Sequence, residues 1–101
     1  MIRILLACGI GASSGFMAAG MRKAAKEQGV DVQVRAVSKS EVMDLKDEID
    51  VLMLGPHFKR DVPKYQEICG PRVKVDSIDP DYYACLDGAG VLEDALDLYE
   101  S

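Results

Sequence analysis

The sequence predicts an α/β protein in which a small parallel β-sheet is covered by helices on both faces. Apolar, strand-like runs alternate with helical patterns along the chain, and the connections between them are short. This alternation is typical of parallel sheets. The runs Ile2–Ala7 and Ile49–Leu54 are almost entirely apolar, as expected for strands that are buried on both faces. A chain of 101 residues supports one hydrophobic core, so we expect a single domain covering residues 1–101.

Four strands are predicted. The second alternates apolar and polar residues, which is typical of a strand at the edge of a sheet. The fourth is short and follows Gly70-Pro71. The predicted strands are Ile2–Ala7, Val30–Val37, Ile49–Leu54 and Val73–Val75. We expect the strand order 2-1-3-4 with right-handed crossovers. This is a small version of the flavodoxin-like fold, and it is also similar to the fold of low-molecular-weight phosphatases.

Helices are predicted after each strand, and several have recognisable end signals. Ser13 or Ser14 is positioned to cap the first helix, and Gly29 is placed to end it. Ser38 and Glu41 have the capping-box spacing. The predicted helices are Gly15–Gln28, a short one from Ser38 to about Asp47, one from about Asp61 to Cys69, and Gly90–Tyr99, and Asp79-Pro80-Asp81 marks a helix start or a turn.

Charge and cysteine content exclude several classes of function. The net charge of −5 argues against a nucleic-acid binder that works by neutralising phosphates. Three widely spaced cysteines do not form a disulfide framework, and with His57 as the only histidine a zinc site is not expected. No apolar run approaches the roughly 20 residues that span a bilayer, and the N-terminal run is too short for a signal peptide. We therefore expect a cytoplasmic protein.

Cys8 is the first candidate for chemistry because of the loop that follows it. In a sheet of order 2-1-3-4, the ligand crevice lies beyond the carboxyl ends of strands 1 and 3, and the sequences CGIGASSG and GPHF follow those strands. Backbone amides and the positive end of a helix favour anions and lower the pKa of a thiol. The sequence thus predicts a nucleophile beside an anion-binding loop made of Gly9, Ile10, Gly11, Ala12, Ser13, Ser14 and Gly15.

Other glycine-loop functions fit less well. A dinucleotide fold expects an acidic residue after strand 2, but that region is RAVSKS. A Walker loop is excluded because no Gly-Lys-Ser/Thr follows. Low-molecular-weight tyrosine phosphatases have an Arg where Ser14 stands, and an Asp-Pro general-acid segment that resembles Asp79-Pro80 beside Tyr82 and Tyr83. Without that Arg clamp the transferring phosphoryl group loses bidentate contacts, so hydrolysis should be slow.

Further residues are candidates for the rim of the site. His57 and Pro56 follow strand 3, Phe16 lies early in the first helix, and Asp79 and Tyr82 follow strand 4. Each also has an ordinary structural explanation: a surface histidine, a loop proline, a core aromatic residue or a helix start. For Asp79 the helix start is the favoured one. Cys69 and Cys85 are expected to be structural, and Met17, Met21, Met43 and Met53 are expected in the core.

Three motifs in order resemble one known family. Cys8–Ser14 is similar to the phosphocysteine loop of the lactose/cellobiose/chitobiose-type IIB subunits of the bacterial sugar phosphotransferase system. Leu54-Gly55-Pro56 resembles that family's Leu-Gly-Pro-Gln, with His57 at the usual Gln. Asp87–Leu92 resembles its Asp-Gly-x-x-Val-Leu. Ala12 replaces a common Met, and the opening RILLACGIGASS is also similar to galactitol and ascorbate IIB subunits.

The resemblance implies a phosphoryl carrier. Cys8 would take a phosphoryl group from a phosphohistidine of a IIA protein and pass it to a sugar held by the membrane IIC subunit, at the inner face of the membrane. It implies no metal and no other cofactor, no nucleic acid, and a monomer with transient partners. The sugar implied is a β-linked disaccharide. A phosphatase-like hydrolase, a galactitol- or ascorbate-type IIB subunit and a non-catalytic adaptor remain the alternatives.

Overall fold

The computed structural model describes residues 1–8 and 11–101, with the backbone alone for residues 8 and 11–14. The strands are β1 (Ile2–Cys8), β2 (Val32–Ser38), β3 (Val51–Leu54) and β4 (Lys74–Ser77). The α-helices are α1 (Gly11–Gln28), α2 (Val42–Leu45), α3 (Val62–Cys69), α4 (Pro80–Cys85) and α5 (Gly88–Glu100). Short 3₁₀ segments flank α2 at Lys39–Glu41 and Lys46–Glu48 and precede α3 at Pro56–Asp61.

The four strands form a parallel sheet of order β2-β1-β3-β4. The predicted order is therefore confirmed, and β2 is an edge strand as its alternating pattern indicated. β1 lies between β2 and β3, with Ile4 opposite Val34 on one side and Val51 on the other. Since β1 has neighbours on both sides and helices on both faces, its apolar run from Ile4 to Ala7 is fully buried.

Two apolar layers enclose the sheet. Successive side chains of a strand point to opposite faces, and β1 follows this rule. Ile4 and Leu6 belong to the cluster formed with α1 and α5, whereas Leu5 and Ala7 belong to the cluster formed with α2 and α3. The first cluster contains Met17, Met21, Met53, Ile78 and Leu92, and the second contains Val42, Ile49, Leu52, Leu54 and Tyr65.

The first helix begins earlier than the sequence pattern predicted. It starts at Gly11 rather than Gly15, so Ser13 and Ser14 lie within its first turn and do not precede it as caps. At its other end Gly29 has φ +69°, as expected for a helix-ending glycine. The Val30 amide donates to the Ala25 carbonyl at 2.9 Å, which keeps Val30 in the helix end and delays β2 until Val32.

The remaining boundaries differ by a few residues. The capping-box spacing is confirmed, since the Ser38 amide donates to the Glu41 carboxylate at 3.0 Å. The helix predicted there is broken into 3₁₀ and α turns. β4 extends to Ser77 because it pairs with β3 along its full length. Met43 was expected in the core, and this is wrong: it is 54% exposed, while its neighbour Val42 fills the inward position of the single turn of α2.

The last two helices begin at side-chain caps. The Asp79 carboxylate accepts from the Asp81 amide at 2.8 Å and starts α4, and the Asp87 carboxylate accepts from the Gly90 amide at 3.0 Å and starts α5. The favoured interpretation of Asp79-Pro80 as a helix start is confirmed. Between these helices Leu86 has a left-handed conformation, with φ 53°, and turns the chain onto α1.

The start of α5 approaches α1 closely. A Cβ at Gly88 would lie 2.4 Å from the Gly20 carbonyl carbon and 2.5 Å from the Met21 nitrogen. Both are backbone atoms of α1, so they yield only if the whole helix moves. A Cβ at Gly20 would instead lie 3.5 Å from its nearest neighbour, the Gly88 Cα, which is an ordinary contact.

We predict that Gly88→Ala destabilises the fold by about 1–3 kcal/mol, because the added methyl forces α5 away from α1. Gly20→Ala is the matched control on the opposite helix. It should be neutral or stabilising, since Ala is favoured over Gly in a helix by about 1 kcal/mol. Urea unfolding of the two variants measures the difference, and equal midpoints would contradict the close contact.

At the amino end of the sheet, β1 is joined to the residue before β3 by an ion pair. The Asp50 carboxylate accepts from the Arg3 amide at 2.8 Å and from the Arg3 guanidinium at 3.2 and 3.1 Å. Arg72 lies 3.9 Å away. The Arg3 side-chain hydrogen bonds hold the pKa of Asp50 below its ordinary value, against the opposing effect of burial.

We predict that this pair makes stability depend on pH. A depressed folded-state pKa contributes stability above the unfolded-state pKa of about 4, and this contribution is lost as pH falls through the lower folded value. Asp50→Asn should therefore unfold at lower urea than the wild type at pH 7, and the gap should narrow below about pH 4. Asp31→Asn, at a carboxylate that is 77% exposed, is the control. A gap of constant size would contradict the linkage.

Candidate functional site

The carboxyl edge of the sheet brings the segments after three strands together. The Gly55 amide, directly after β3, donates to the Ala7 carbonyl near the end of β1 at 2.9 Å. The Ile78 amide, directly after β4, donates to the Leu54 carbonyl at 2.7 Å. The chain leaves β1 for β2 on one side and later enters β3 on the other. The reversal of strand order therefore lies between β1 and β3, where the sequence placed the crevice.

Cys8 is the last residue of β1, opposite Ser38 of β2, and α1 begins only three residues later at Gly11. Gly9 and Ile10, which were predicted to bind an anion, lie outside the described residues, as do the side chains of Cys8 and residues 11–14. The amides at the very start of a helix have no partner within it, and in α1 these include the amides of Gly11, Ala12 and Ser13. No acidic residue lies in that first turn.

Gly15 was predicted to be part of the loop, and the helix boundary changes this. It is the fifth residue of α1 and is exposed, with open space where a Cβ would stand. In a regular helix the fifth amide is bonded to the first carbonyl, so Gly15 belongs to the helix body. The amides available at the helix start are therefore those of Gly11, Ala12 and Ser13.

Phe16 and Met17 have opposite surroundings. Phe16 is 71% exposed, whereas Met17 is fully buried in the core beneath α1. Phe16 lies one turn after the start of α1 and is available at the surface near that end of the helix. The sequence offered Phe16 as a candidate for the rim of the site, and its exposure is compatible with that position.

His57 connects the segment after β3 with α4. Its exposed ring lies edge-on to Tyr83, with ring centroids 6.0 Å apart, and edge-on to Phe58 at 6.5 Å. Pro56, the other rim candidate in this segment, is half-buried and begins the 3₁₀ segment. It lines an open depression of about 280 Å³ together with Lys59, Ile78, Asp79 and Asp94.

Asp79 and Tyr82 are held by structural contacts. Asp79 is exposed and caps α4. Tyr82 packs against the core under α1 and α5, and a Cβ at Gly90 would lie 3.0 Å from its ring. The carboxylate of Asp94 is the main cause that raises the pKa of Tyr82, and burial followed by the charge of Asp79 raises the pKa of Asp94. This region is thus electronegative.

The other two cysteines lie in different surroundings. Cys69, the last residue of α3, is half-buried, and burial is the main cause that raises the pKa of its thiol. This fits the structural role expected of it. Cys85 ends α4 and is exposed, so it does not fill the core. Among residues 1–8 and 11–101 no group of three or more His, Cys, Asp or Glu side chains is arranged to hold a metal ion.

One cluster at this edge was missed by the sequence analysis. Lys39 donates to the Asp61 carboxylate at 3.0 Å, and its ammonium lies 4.0 Å from the centre of the Phe58 ring. This joins the segment after β2 to the segment after β3. Because 22 residues separate Lys39 from Asp61, no local pattern in the sequence could have indicated the pair.

No helix in the described part of the chain is long and apolar enough to cross a membrane.

The overall fold of this chain is similar to that of known proteins. Solved structures of similar fold include a cellobiose-specific phosphotransferase IIB component from Borrelia burgdorferi, with TM-score 0.78 and 25% identity over 98% of this chain and 92% of that one. A lactose-specific IIB component domain from Streptococcus pneumoniae has TM-score 0.80 over 97% of both chains, and at 18% identity it shows the fold alone.

Sequence relatives agree with the structures. The chain is 35% identical to the galactose-specific EIIB component of the phosphotransferase system (PTS) of Lactococcus lactis subsp. cremoris (strain MG1363), and 34% identical to the cellobiose-specific one of L. lactis subsp. lactis (strain IL1403), each over 94% of both chains. Residues 3–94 match the family model "PTS system, Lactose/Cellobiose specific IIB subunit". The chain therefore belongs to the lactose/cellobiose-specific IIB subunits of the sugar phosphotransferase system.

Proposed function

We propose that Cys8 carries a phosphoryl group between a phosphorylated IIA protein and a sugar bound by a membrane IIC subunit. The observation that supports this is positional: β1 ends at Cys8 and α1 begins at Gly11, at the reversal of strand order. The free amides and positive end of α1 thus follow the cysteine by three residues. Helix starts of this kind favour anions without needing a metal.

The first transfer moves the phosphoryl group from nitrogen to sulfur. The Cys8 thiolate attacks the phosphorus of the phosphohistidine in line, the S–P bond forms, and the P–N bond breaks with its electron pair going to the imidazole of IIA. Charge spreads over the phosphoryl oxygens in the transition state. The amides of the segment from Gly9 to Ser14, with the hydroxyls of Ser13 and Ser14, stabilise that charge.

The second transfer moves the group from sulfur to oxygen. A sugar hydroxyl attacks the phosphorus, the O–P bond forms, and the S–P bond breaks with the electron pair returning to Cys8 as a thiolate. The hydroxyl proton passes to a base at the sugar site. The related proteins are named for galactose, cellobiose and oligo-beta-mannoside, so we expect IIC to select the sugar, with a β-linked disaccharide as the first candidate.

Phe16 and His57 are the proposed contacts with partners. Phe16 is exposed near the start of α1, and His57 is exposed at the segment after β3. Both lie on elements that begin at the carboxyl edge, on either side of the Cys8 position. Carrier proteins must release their partners after each transfer, so small and transient interfaces are expected.

We predict that mixing with phosphorylated IIA adds one phosphoryl group to the wild type and none to Cys8→Ser. A serine hydroxyl is a far weaker nucleophile than a thiolate. Intact-protein mass spectrometry measures the uptake. Cys85→Ser, at an exposed cysteine, is the matched control and should load normally. The proposal would be contradicted if Cys8→Ser took up as much of the phosphoryl group as the wild type does.

The alternative is a hydrolase of the low-molecular-weight phosphatase type. Its general acid would be Asp79, but the Asp79 carboxylate accepts a hydrogen bond from the Asp81 amide and caps α4. Ser14 stands where such a phosphatase has its phosphate-clamping Arg. We predict that the isolated chain does not turn over para-nitrophenyl phosphate, as followed by colour release. Steady turnover that Cys8→Ser abolishes would instead favour the hydrolase.

A further inference from the structure

The outer edge of β2, meaning the side of the strand that faces away from β1, carries the backbone groups of alternate residues. In the described part of the chain β2 pairs with β1 alone. The Ile2 amide donates to the Asp31 carbonyl at 3.2 Å, so Asp31 directs its carbonyl toward β1. Because successive residues of a strand direct their backbone groups to opposite sides, those of Val32, Val34 and Ala36 face the outer edge.

Arg22 of α1 covers the middle of this outer edge. Its guanidinium donates twice to the Val34 carbonyl, from Nε at 3.0 Å and from Nη2 at 2.6 Å. The planar guanidinium holds its donors in a fixed fork, so one side chain occupies both acceptor positions of this oxygen. Val34 as a whole is only 2% exposed. An approaching strand therefore cannot reach the Val34 carbonyl while Arg22 stays in place.

The opposite edge of the sheet, beside β4, is closed by a glutamine. The side-chain amide of Gln66, on α3, donates to the Val73 carbonyl at 2.7 Å, and its side-chain oxygen accepts from the Val75 amide at 3.2 Å. Gln66 thus bonds to β4 as a neighbouring strand would. The Ser77 amide donates to the Asp76 carboxylate at 2.7 Å. Since unpaired edges invite pairing with other chains, side chains of the same molecule protect both edges of this sheet.

The sequence of β2 is complementary to itself when two copies run antiparallel. Two such strands exchange hydrogen bonds between residues whose backbone groups face each other. With a twofold axis at Gln33, Val32 of one copy lies opposite Val34 of the other, and Asp31 lies opposite Arg35. The Cα atoms of the second pair would be about 4.5 Å apart. Directly opposite residues of opposite charge stabilise such a ladder, and the axis generates this pair twice.

We propose that the outer edge of β2 is a docking surface for a second copy of this chain and that Arg22 keeps it closed. In the antiparallel pair the Val34 carbonyl accepts from the Val32 amide of the second copy, and Arg22 already occupies that carbonyl. Opening the edge requires movement of the Arg22 side chain alone, since this residue lies on the exposed face of α1. Because Gln66 closes the β4 edge, the product is a closed twofold dimer and not an open-ended assembly.

Two roles for Arg22 predict different behaviour of its variants. If Arg22 only ties α1 to β2, then Arg22→Ala lowers stability and leaves the chain monomeric. If Arg22 closes the edge, the same variant frees the Val34 carbonyl and the chain pairs with itself. Arg35→Glu tests the pairing separately, because it sets a carboxylate opposite Asp31 and should prevent dimerisation even when Arg22 is absent.

The test is sedimentation velocity of the full chain over a range of concentrations. We expect monomers for the wild type and for Lys23→Ala, a matched control at the neighbouring exposed cation of α1. The sedimenting mass of Arg22→Ala should double at concentrations where the wild type is monomeric. Adding Arg35→Glu should return it to the monomer. Adding Asp31→Lys to that double variant should restore the dimer, because opposite charges again face each other across the axis.

The inference would be overturned if Arg22→Ala stayed monomeric at every concentration, or if Arg35→Glu left its dimer intact. Assemblies larger than two chains, or a wild type that dimerises as readily as Arg22→Ala, would also contradict it. Circular dichroism and thermal unfolding check the fold of each variant. Arg22→Met keeps the aliphatic stem without the donors and should dimerise too, so it decides the question if Arg22→Ala does not fold.

Discussion

The parallel pairing of β1 with both β2 and β3 is the constraint on which the rest of the structure depends. It places β1 at the centre of the sheet, where side chains of both faces are buried, and requires the chain to leave it in one direction and return on the other side. The carboxyl end of β1 consequently faces the point where strand order reverses. Cys8 occupies that end, so the same pairing that organises the two cores also positions the candidate site.

The site is built from segments that are close in space for different reasons. Gly11 starts α1 three residues after Cys8, so these two positions are close because they are close in the sequence. Gly55 is tied to Ala7 by a backbone hydrogen bond, which follows from the pairing of β1 with β3. Lys39, directly after β2, donates to Asp61 in the segment that follows β3. One edge therefore combines a helix start, a loop that carries an exposed histidine, and a fixed cation.

Charge is distributed unevenly around this edge. The region of α4 and α5 near Asp79 and Asp94 is electronegative enough to raise the pKa of Asp94 and Tyr82. The segments after β2 and β3 carry Lys39, Lys59 and Arg60. The same segments also carry Glu41 and Asp61, and Asp61 is paired with Lys39. The electronegative region adjoins the start of α5, where Gly88 packs closely against Gly20 of α1.

The sequence by itself determined the strand order, the edge position of β2 and the caps at Ser38 and Asp79, because hydrophobic periodicity and turn chemistry are local signals. It also singled out Cys8 as the candidate nucleophile, which stays a prediction. It placed the start of α1 four residues late, since Ser13 and Ser14 resemble caps but the small residues before them also fit a helix. It put Met43 in the core, because a single turn of helix has too few residues for a periodic pattern. Only the tertiary structure decided which loops meet at the end of β1 and joined Lys39 to Phe58 and Asp61, since contacts between distant segments depend on the order of strands and leave no trace in local sequence.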